Sequence, residues 1–273
     1  MDKIIRTLIC EGQVSLAVID ATDLVNNAIK IHGINPDASS IFGGLLACGA
    51  YLSSSLKDER GSVSLTIKAM HGDGAASVSA DSSLHVRGYV DGTCSDTLVG
   101  GTLTVVRDDG RTIPFVGTCE IDTDDVSEIL EIYFQQSEQI PTAVALTCDI
   151  SEDGTCLSCG GVIMQLLPDA DDDQTQIAGE AFDLFKEKAG AIRQGADYVY
   201  EKFFARLASG EAAELYPQYK CNCSLQKIRG VLASVGKEEL LKIIEETGEV
   251  RVHCHYCNRD YVFDRGQIEG FDE

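Results

Sequence analysis

Four cysteines near the C-terminus have the type and spacing to hold a metal: Cys221-Asn-Cys223, then 30 residues, then Cys254-His-Tyr-Cys257. A Cys-x-x-Cys at a hairpin tip aims two sulfurs at one point. A Cys-x-Cys supplies two more and closes a tetrahedral shell with Zn–S near ~2.3 Å. Soft thiolates in that arrangement select zinc over magnesium or calcium. One zinc per chain is therefore expected, with no open coordination position and so no hydrolytic chemistry. His253 and His255 adjoin the second pair but are surplus to a complete sulfur shell.

A zinc-bound thiolate is already deprotonated and is a competent nucleophile toward peroxide or hypochlorite. Each pair carries its own resolving cysteine, so oxidation can close Cys221–Cys223 and Cys254–Cys257 disulfides and expel the metal. Cys254–Cys257 is expected first, because bridging a Cys-x-Cys closes a smaller ring and distorts the torsion a disulfide prefers. The same residues allow two other readings: an adaptor with a purely structural zinc site, or a thiol–disulfide oxidoreductase using Cys254 and Cys257. Against the oxidoreductase, no βαβ thioredoxin-like context precedes the pair.

The elements that position these cysteines fall in blocks. Residues 3–20 read as two strands broken at Glu11-Gly12, and 21–32 as a helix with Gly33 as a left-handed cap. Pro36 opens a second helix to about Leu56, whose Gly43, Gly44, Ala47, Gly49 and Ala50 imply close packing. Residues 62–119 switch to short alternating runs between Gly and Asp turns (His71-Gly-Asp-Gly, Asp91-Gly, Gly100-Gly, Asp109-Gly), an antiparallel sheet. Residues 124–136 return to helix and 143–167 to strand. The fold expected is α+β, with an N-terminal domain of antiparallel sheet and packed helices over residues 1–168.

The acidic break 169–173 opens a helical linker, 169–220, with apolar spacing through Ile177, Ala181, Phe185, Ile192, Ala196, Tyr200, Phe203 and Leu207. Gly190 and Gly195 each weaken such a helix by ~1 kcal/mol, so its apolar face needs a surface to lie on. Residues 221–273 form a small zinc-binding domain, with helices around Ile228 and Leu240 and a hairpin of 250–253 with 261–263. Without a metal that stretch is too glycine-rich to bury a sufficient core.

Eleven cysteines, an odd number without the spacing of a secreted scaffold, fit a reducing compartment. The first twenty residues lack a secretory signal, and the longest apolar stretch, 41–52, is short of a membrane span. A cytoplasmic location is expected. A net charge of -22 repels phosphate backbones and anionic bilayers, so neither nucleic acid nor membrane is an expected partner. No Gly-x-x-x-x-Gly-Lys phosphate loop is present. Ser137 and Glu138 invite a catalytic reading, but His71 and His85 have no identifiable triad partner, and a helix end satisfying its own backbone is the plainer role.

The four-cysteine signature resembles that of the 33-kDa chaperonin family of redox-regulated heat-shock chaperones. So do ATDLVNNAIKIHG (21–33), VRGYV (86–90), YFQQSEQIPTAV (133–144), GGVIMQLLPDA (160–170), GKEEL (236–240) and CNRDYVFD (257–264). The resemblance spans nearly the whole chain. It implies an ATP-independent holdase, not an enzyme: inactive when reduced and zinc-bound, and binding unfolding client proteins, often as a homodimer, once oxidised. The chain departs from that pattern in seven further cysteines, Cys10, Cys48, Cys94, Cys119, Cys148, Cys156 and Cys159. Cys156-Leu-Ser-Cys159 repeats the Cys-x-x-Cys spacing. It reads either as two side chains of a strand with a glycine-rich end or as a supplementary redox pair.

Overall fold

The computed structural model describes residues 1–70, 74–91 and 98–270. Cys94, His71 and the turns expected at 71–74 and 91–92 fall wholly or partly outside those residues. The chain divides into two compact units, Met1–Lys220 and Cys221–Glu273.

The first unit opens with the hairpin β1 (Lys3–Ile9) and β2 (Val14–Asp20), followed by helices α1 (Thr22–His32) and α2 (Pro36–Ser53). Strands β3 (Ser62–Lys68), β4 (Ala75–Asp81), β5 (His85–Asp91), β6 (Thr102–Asp108) and β7 (Phe115–Glu120) come next. Helix α3 (Val126–Tyr133) leads through a π-turn at Phe134–Glu138 into β8 (Thr142–Ile150) and β9 (Cys156–Leu166). Then come α4 (Asp172–Lys186), a run of short turns and the helical turn α5 (Ala196–Val199), and two brief strands, β10 (Ala213–Leu215) and β11 (Gln218–Tyr219).

Among its described residues the first unit has two sheets, ordered β10-β1-β2-β9-β8 and β11-β5-β4-β3-β6-β7. Every pairing is antiparallel except β11 on β5. The stretch 213–219, expected to be linker, instead adds an edge strand to each sheet, so the compact unit continues to Lys220.

Helices α1 to α3 share one core with both sheets, while residues 178–204 pack on the opposite face of the first sheet. Strand alternation sorts the side chains. Leu16 and Val18 of β2 and Val162 and Met164 of β9 face the 178–204 layer, whereas Ile19 and Ile163 face the helices. A strand buried on both faces reads as a nearly continuous apolar run, as β2 and β9 do. Gly160 and Gly161, at φ 143° and 154°, bring β9 so close to its neighbours that a Cβ would lie 2.0 Å from the Ile19 carbonyl and 1.9 Å from that of Ala145. Only glycine fits there.

Helix α2 is buried nearly all round, as a helix between layers must be. It stops at Ser53 rather than Leu56, because the Ser54 and Ser55 hydroxyls donate to the Tyr51 and Leu52 carbonyls. Helix α1 has no side-chain cap from its own N-cap residue, Ala21. Buried Asp2 takes that role from a distance, its two oxygens accepting the Asp23 and Leu24 amides at 2.7 Å each. Asp2→Ala leaves both donors without a partner and should cost about 1–2 kcal/mol. Urea denaturation followed by the first unit's circular dichroism measures it, and a loss below experimental error would assign the capping elsewhere.

The π-turn ends on Gln139 in the left-handed region, its amide donating to the Phe134 carbonyl. Glu138 does something other than finish that helix. Its carboxylate accepts from the Tyr133 hydroxyl at 2.8 Å and pairs with Arg107 at 2.7 Å. His85 lies 3.6 Å from Asp81 and 3.2 Å from Lys220. Both residues are thus occupied in ion pairs and hydrogen bonds of the fold.

The second unit holds α6 (Leu225–Val235), α7 (Lys237–Thr247), the hairpin β12 (Val250–Cys254) and β13 (Arg259–Phe263), and a final turn of helix, α8 (Arg265–Glu269). The core is small: Leu232, Leu240, Ile244, Val250, Phe263 and Ile268. Among the described residues no helix is long and apolar enough to cross a membrane.

Candidate metal centre

The sulfurs of Cys221, Cys223, Cys254 and Cys257 all lie within 4.8 Å of one another. Cys254 closes β12, and the hairpin turn carries Cys257. The amides of Cys257 and Asn258 both donate to the Cys254 carbonyl, at 3.3 and 2.9 Å. Asn258 takes the left-handed conformation at φ 55°, which asparagine tolerates better than most residues. Cys221 and Cys223 precede α6, whose start is fixed by the Ser224 hydroxyl accepting the Lys227 amide at 3.2 Å. Each element thus delivers its pair from a backbone held by its own hydrogen bonds.

The shape and the chemistry of the cluster both fit a zinc ion. A tetrahedron with Zn–S near ~2.3 Å has edges of about 3.8 Å. Here Cys221 and Cys254 are 3.8 Å apart and Cys223 and Cys257 3.3 Å. Burial pushes the Cys221 thiol up to about 11, with Cys254 adding to the rise. Burial raises Cys257 as well, helped by hydrogen bonds to Cys223 and Cys254. Burial acts the same way on Cys223, but hydrogen bonds from Tyr261, Cys257, Cys221 and Cys254 outweigh it and bring that thiol down to about 7. One sulfur is thus readily ionised while neighbours resist, and four thiolates at this spacing need a cation among them.

His253 and His255 stand outside the group of four, as far as the described residues go. The His253 Nδ1 lies 2.8 Å from the Asp260 carboxylate, and the two imidazoles meet edge to face at 5.2 Å. A residue that the spacing did not reveal is Tyr261. Its hydroxyl lies 3.0 Å from the Cys223 sulfur and is placed there by β13, opposite Val252. Nothing in its position four residues after Cys257 marks it out, because the contact is to a cysteine 38 residues away.

A family model described as Hsp33 protein matches residues 2–264. The 33 kDa chaperonin of Clostridium botulinum (strain Langeland) is 30% identical over 290 residues, covering 98% of this chain and 96% of the relative. That of Clostridium perfringens (strain SM101) is 32% identical over 287 residues, covering 98% and 90%. The crystal structure of the 33 kDa chaperonin of Thermotoga maritima aligns with a TM-score of 0.83 at 23% identity, over 99% of this chain and 97% of that one, and has the same fold. The class these matches define is a molecular chaperone. The chain belongs to the Hsp33 family.

Proposed function

We propose that the protein is a redox-regulated, ATP-independent holdase. It acts by binding unfolding proteins rather than by catalysis, and it does so in the cytoplasm, as a homodimer once oxidised. The observation that supports this reading is the four-sulfur cluster in a unit whose core, among the described residues, is six buried apolar side chains. When bound, zinc would hold the four sulfurs as thiolates and tie the start of the unit to its hairpin. Peroxide then oxidises the Cys254 thiolate to a sulfenic acid, the hydroxide it releases taking a solvent proton to leave as water. The Cys257 thiolate displaces the sulfenic hydroxyl, which takes a second solvent proton and leaves as water, and a disulfide remains.

With that bond made, two of the four sulfurs are no longer free as ligands, and the unit loses its anchor. Freed backbone at Cys221 can then accept the more strained Cys221–Cys223 ring. Apolar side chains exposed by the opening supply the client surface.

The test is light scattering of a thermally unfolding enzyme, without ATP, in the presence of the reduced zinc-loaded protein or of the peroxide-oxidised protein. The oxidised form should suppress aggregation at near-stoichiometric ratios, and the reduced form should do so poorly. Equal protection by both would reduce the metal centre to a structural role. An insulin-reduction assay run alongside should give no turnover, since turnover would favour the oxidoreductase reading.

A further inference from the structure

The strand pair β8–β9 gathers a second group of thiols that the four-cysteine site does not explain. Cys148 stands directly opposite Cys159 in the antiparallel register, so the two side chains share a face. Cys156 would ordinarily point to the other face, because three residues along a strand is an odd step. A register shift prevents this: Ser158 pairs with Asp149 and Cys156 with Ile150, which leaves Leu157 as the extra residue of a bulge. Cys156 therefore rejoins Cys159 in the same core, with Cys148 packed against both, while Leu157 is half exposed. Both other thiols shift the ionisation of Cys148, whose sulfur also points at the Ser39 carbonyl at 3.7 Å.

The packing keeps this group in place. A Cβ at Gly43 of α2 would lie 2.4 Å from the Cys148 sulfur and 3.1 Å from that of Cys159. A glycine at that point of the helix leaves the sulfurs the volume a methyl group would take. Access is unequal. Cys156 and Cys159 are 3% and 0% exposed, whereas Cys148 is only part-buried and lines a cavity of about 250 Å³ with Ser40, Ile41, Gly44 and Val126. Asp124 and Asp125 also line it, so a small neutral oxidant enters more readily than an anionic one.

We propose that Cys148, Cys156 and Cys159 form a second oxidation site, in which Cys148 meets hydrogen peroxide from the cavity and one of the two buried thiols joins it in a disulfide. The Cys148 sulfur attacks the peroxide O–O bond and becomes a sulfenic acid, with one water released. The sulfur of Cys159, across the ladder, or of Cys156, at the bulge, displaces the hydroxyl as a second water. Two thiols lose two hydrogens and one peroxide becomes two waters. The bond staples β8, at the edge of its sheet, to β9. Cys156 lowers the Cys148 thiol, but Cys159 and burial together raise it by more, and Cys148 and burial raise Cys156. The site therefore reacts slowly and calls for sustained peroxide.

The experiment treats the full-length reduced native protein with excess peroxide, alkylates remaining thiols, and maps the products by mass spectrometry after cleavage at acidic residues. Asp149, Glu152 and Asp153 lie between Cys148 and the other two, so a link containing Cys148 joins two separate peptides. Such a link is expected, absent when peroxide is omitted. In parallel, Cys148→Ser should lose two thiols fewer than the parent under the same treatment. The proposal is overturned if Cys148 is recovered alkylated, if it is recovered as a sulfinic or sulfonic acid, or if Cys156 and Cys159 join each other without it. The mapping on the unmodified chain stands even where the serine variant folds poorly.

Discussion

Chelating zinc from the reduced protein should unfold residues 221–270, loosen the layer of residues 172–207 and leave β1–β9 folded. The second unit closes on six buried apolar side chains, from Leu232 to Ile268, and its first residues meet the β12–β13 hairpin at the sulfur cluster. So small a core does not hold some fifty residues against their conformational entropy, whereas a structural zinc contributes about 10–16 kcal/mol of apparent binding free energy at neutral pH. The first unit draws on two sheets and two large apolar clusters that share no residue with the metal centre.

Hydrogen exchange after chelation should therefore lose protection across the second unit and keep it through β1–β9. Serine at any of the four cysteines should lower zinc retention by orders of magnitude, and alanine at His253 or His255 should leave it intact. Because burial pushes the Cys221 and Cys257 thiols above their ordinary range, zinc uptake displaces protons, and retention should weaken as pH falls. Full zinc occupancy in the Cys221→Ser, Cys254→Ser double variant would remove the basis for the switch.

Phe185→Ala should destabilise the layer formed by residues 172–207 by about 3–5 kcal/mol, the usual cost of emptying a phenylalanine site in a core. Phe185 and Phe204 are fully buried, and with Phe203 they form a cluster of rings with centroids 5.7 to 6.3 Å apart. The layer has little local stability of its own. After α4 it runs through a 3₁₀ turn at Ala189–Gln194, α5 of four residues, a π-turn at Tyr200–Phe204 and a further 3₁₀ turn. Such turns have poorer hydrogen-bond geometry than an α-helix, so packing on β1, β2 and β9 decides whether the layer stays down.

Loosening it bares an aromatic surface of the kind that unfolded clients bind. If release of this layer supplies the client surface, the reduced Phe185→Ala protein should already suppress client aggregation in part, without peroxide. Loss of exchange protection over 172–207 with no gain in client binding would place that surface elsewhere.

Short-range signals in the sequence marked out much of this molecule. The Cys221–Cys223 pair, the Cys254–Cys257 pair, the Gly33 cap, the Pro36 start and the alternation of Val63, Leu65 and Ile67 each depend on residues a few positions apart. Local backbone geometry therefore sufficed to read the two cysteine pairs, the first two helices, the strand-rich middle and the final hairpin, while the meeting of the two pairs spans 30 intervening residues. Long-range pairing settled the rest. Residues 213–219 look like linker because strands of three and two residues carry no periodicity, and only β1 and β5 make them strands. The Cys156–Cys159 spacing reads as two side chains of one strand or as a redox pair, and only the bulge at Leu157, set by register against β8, turns both inward to meet Cys148. Tyr261 and Cys223 lie 38 residues apart in the chain and come within 3.0 Å only when the hairpin closes on the first cysteine pair. Side-chain spacing encodes which face a residue takes within its own element, but which element lies against that face is fixed only when the whole core packs.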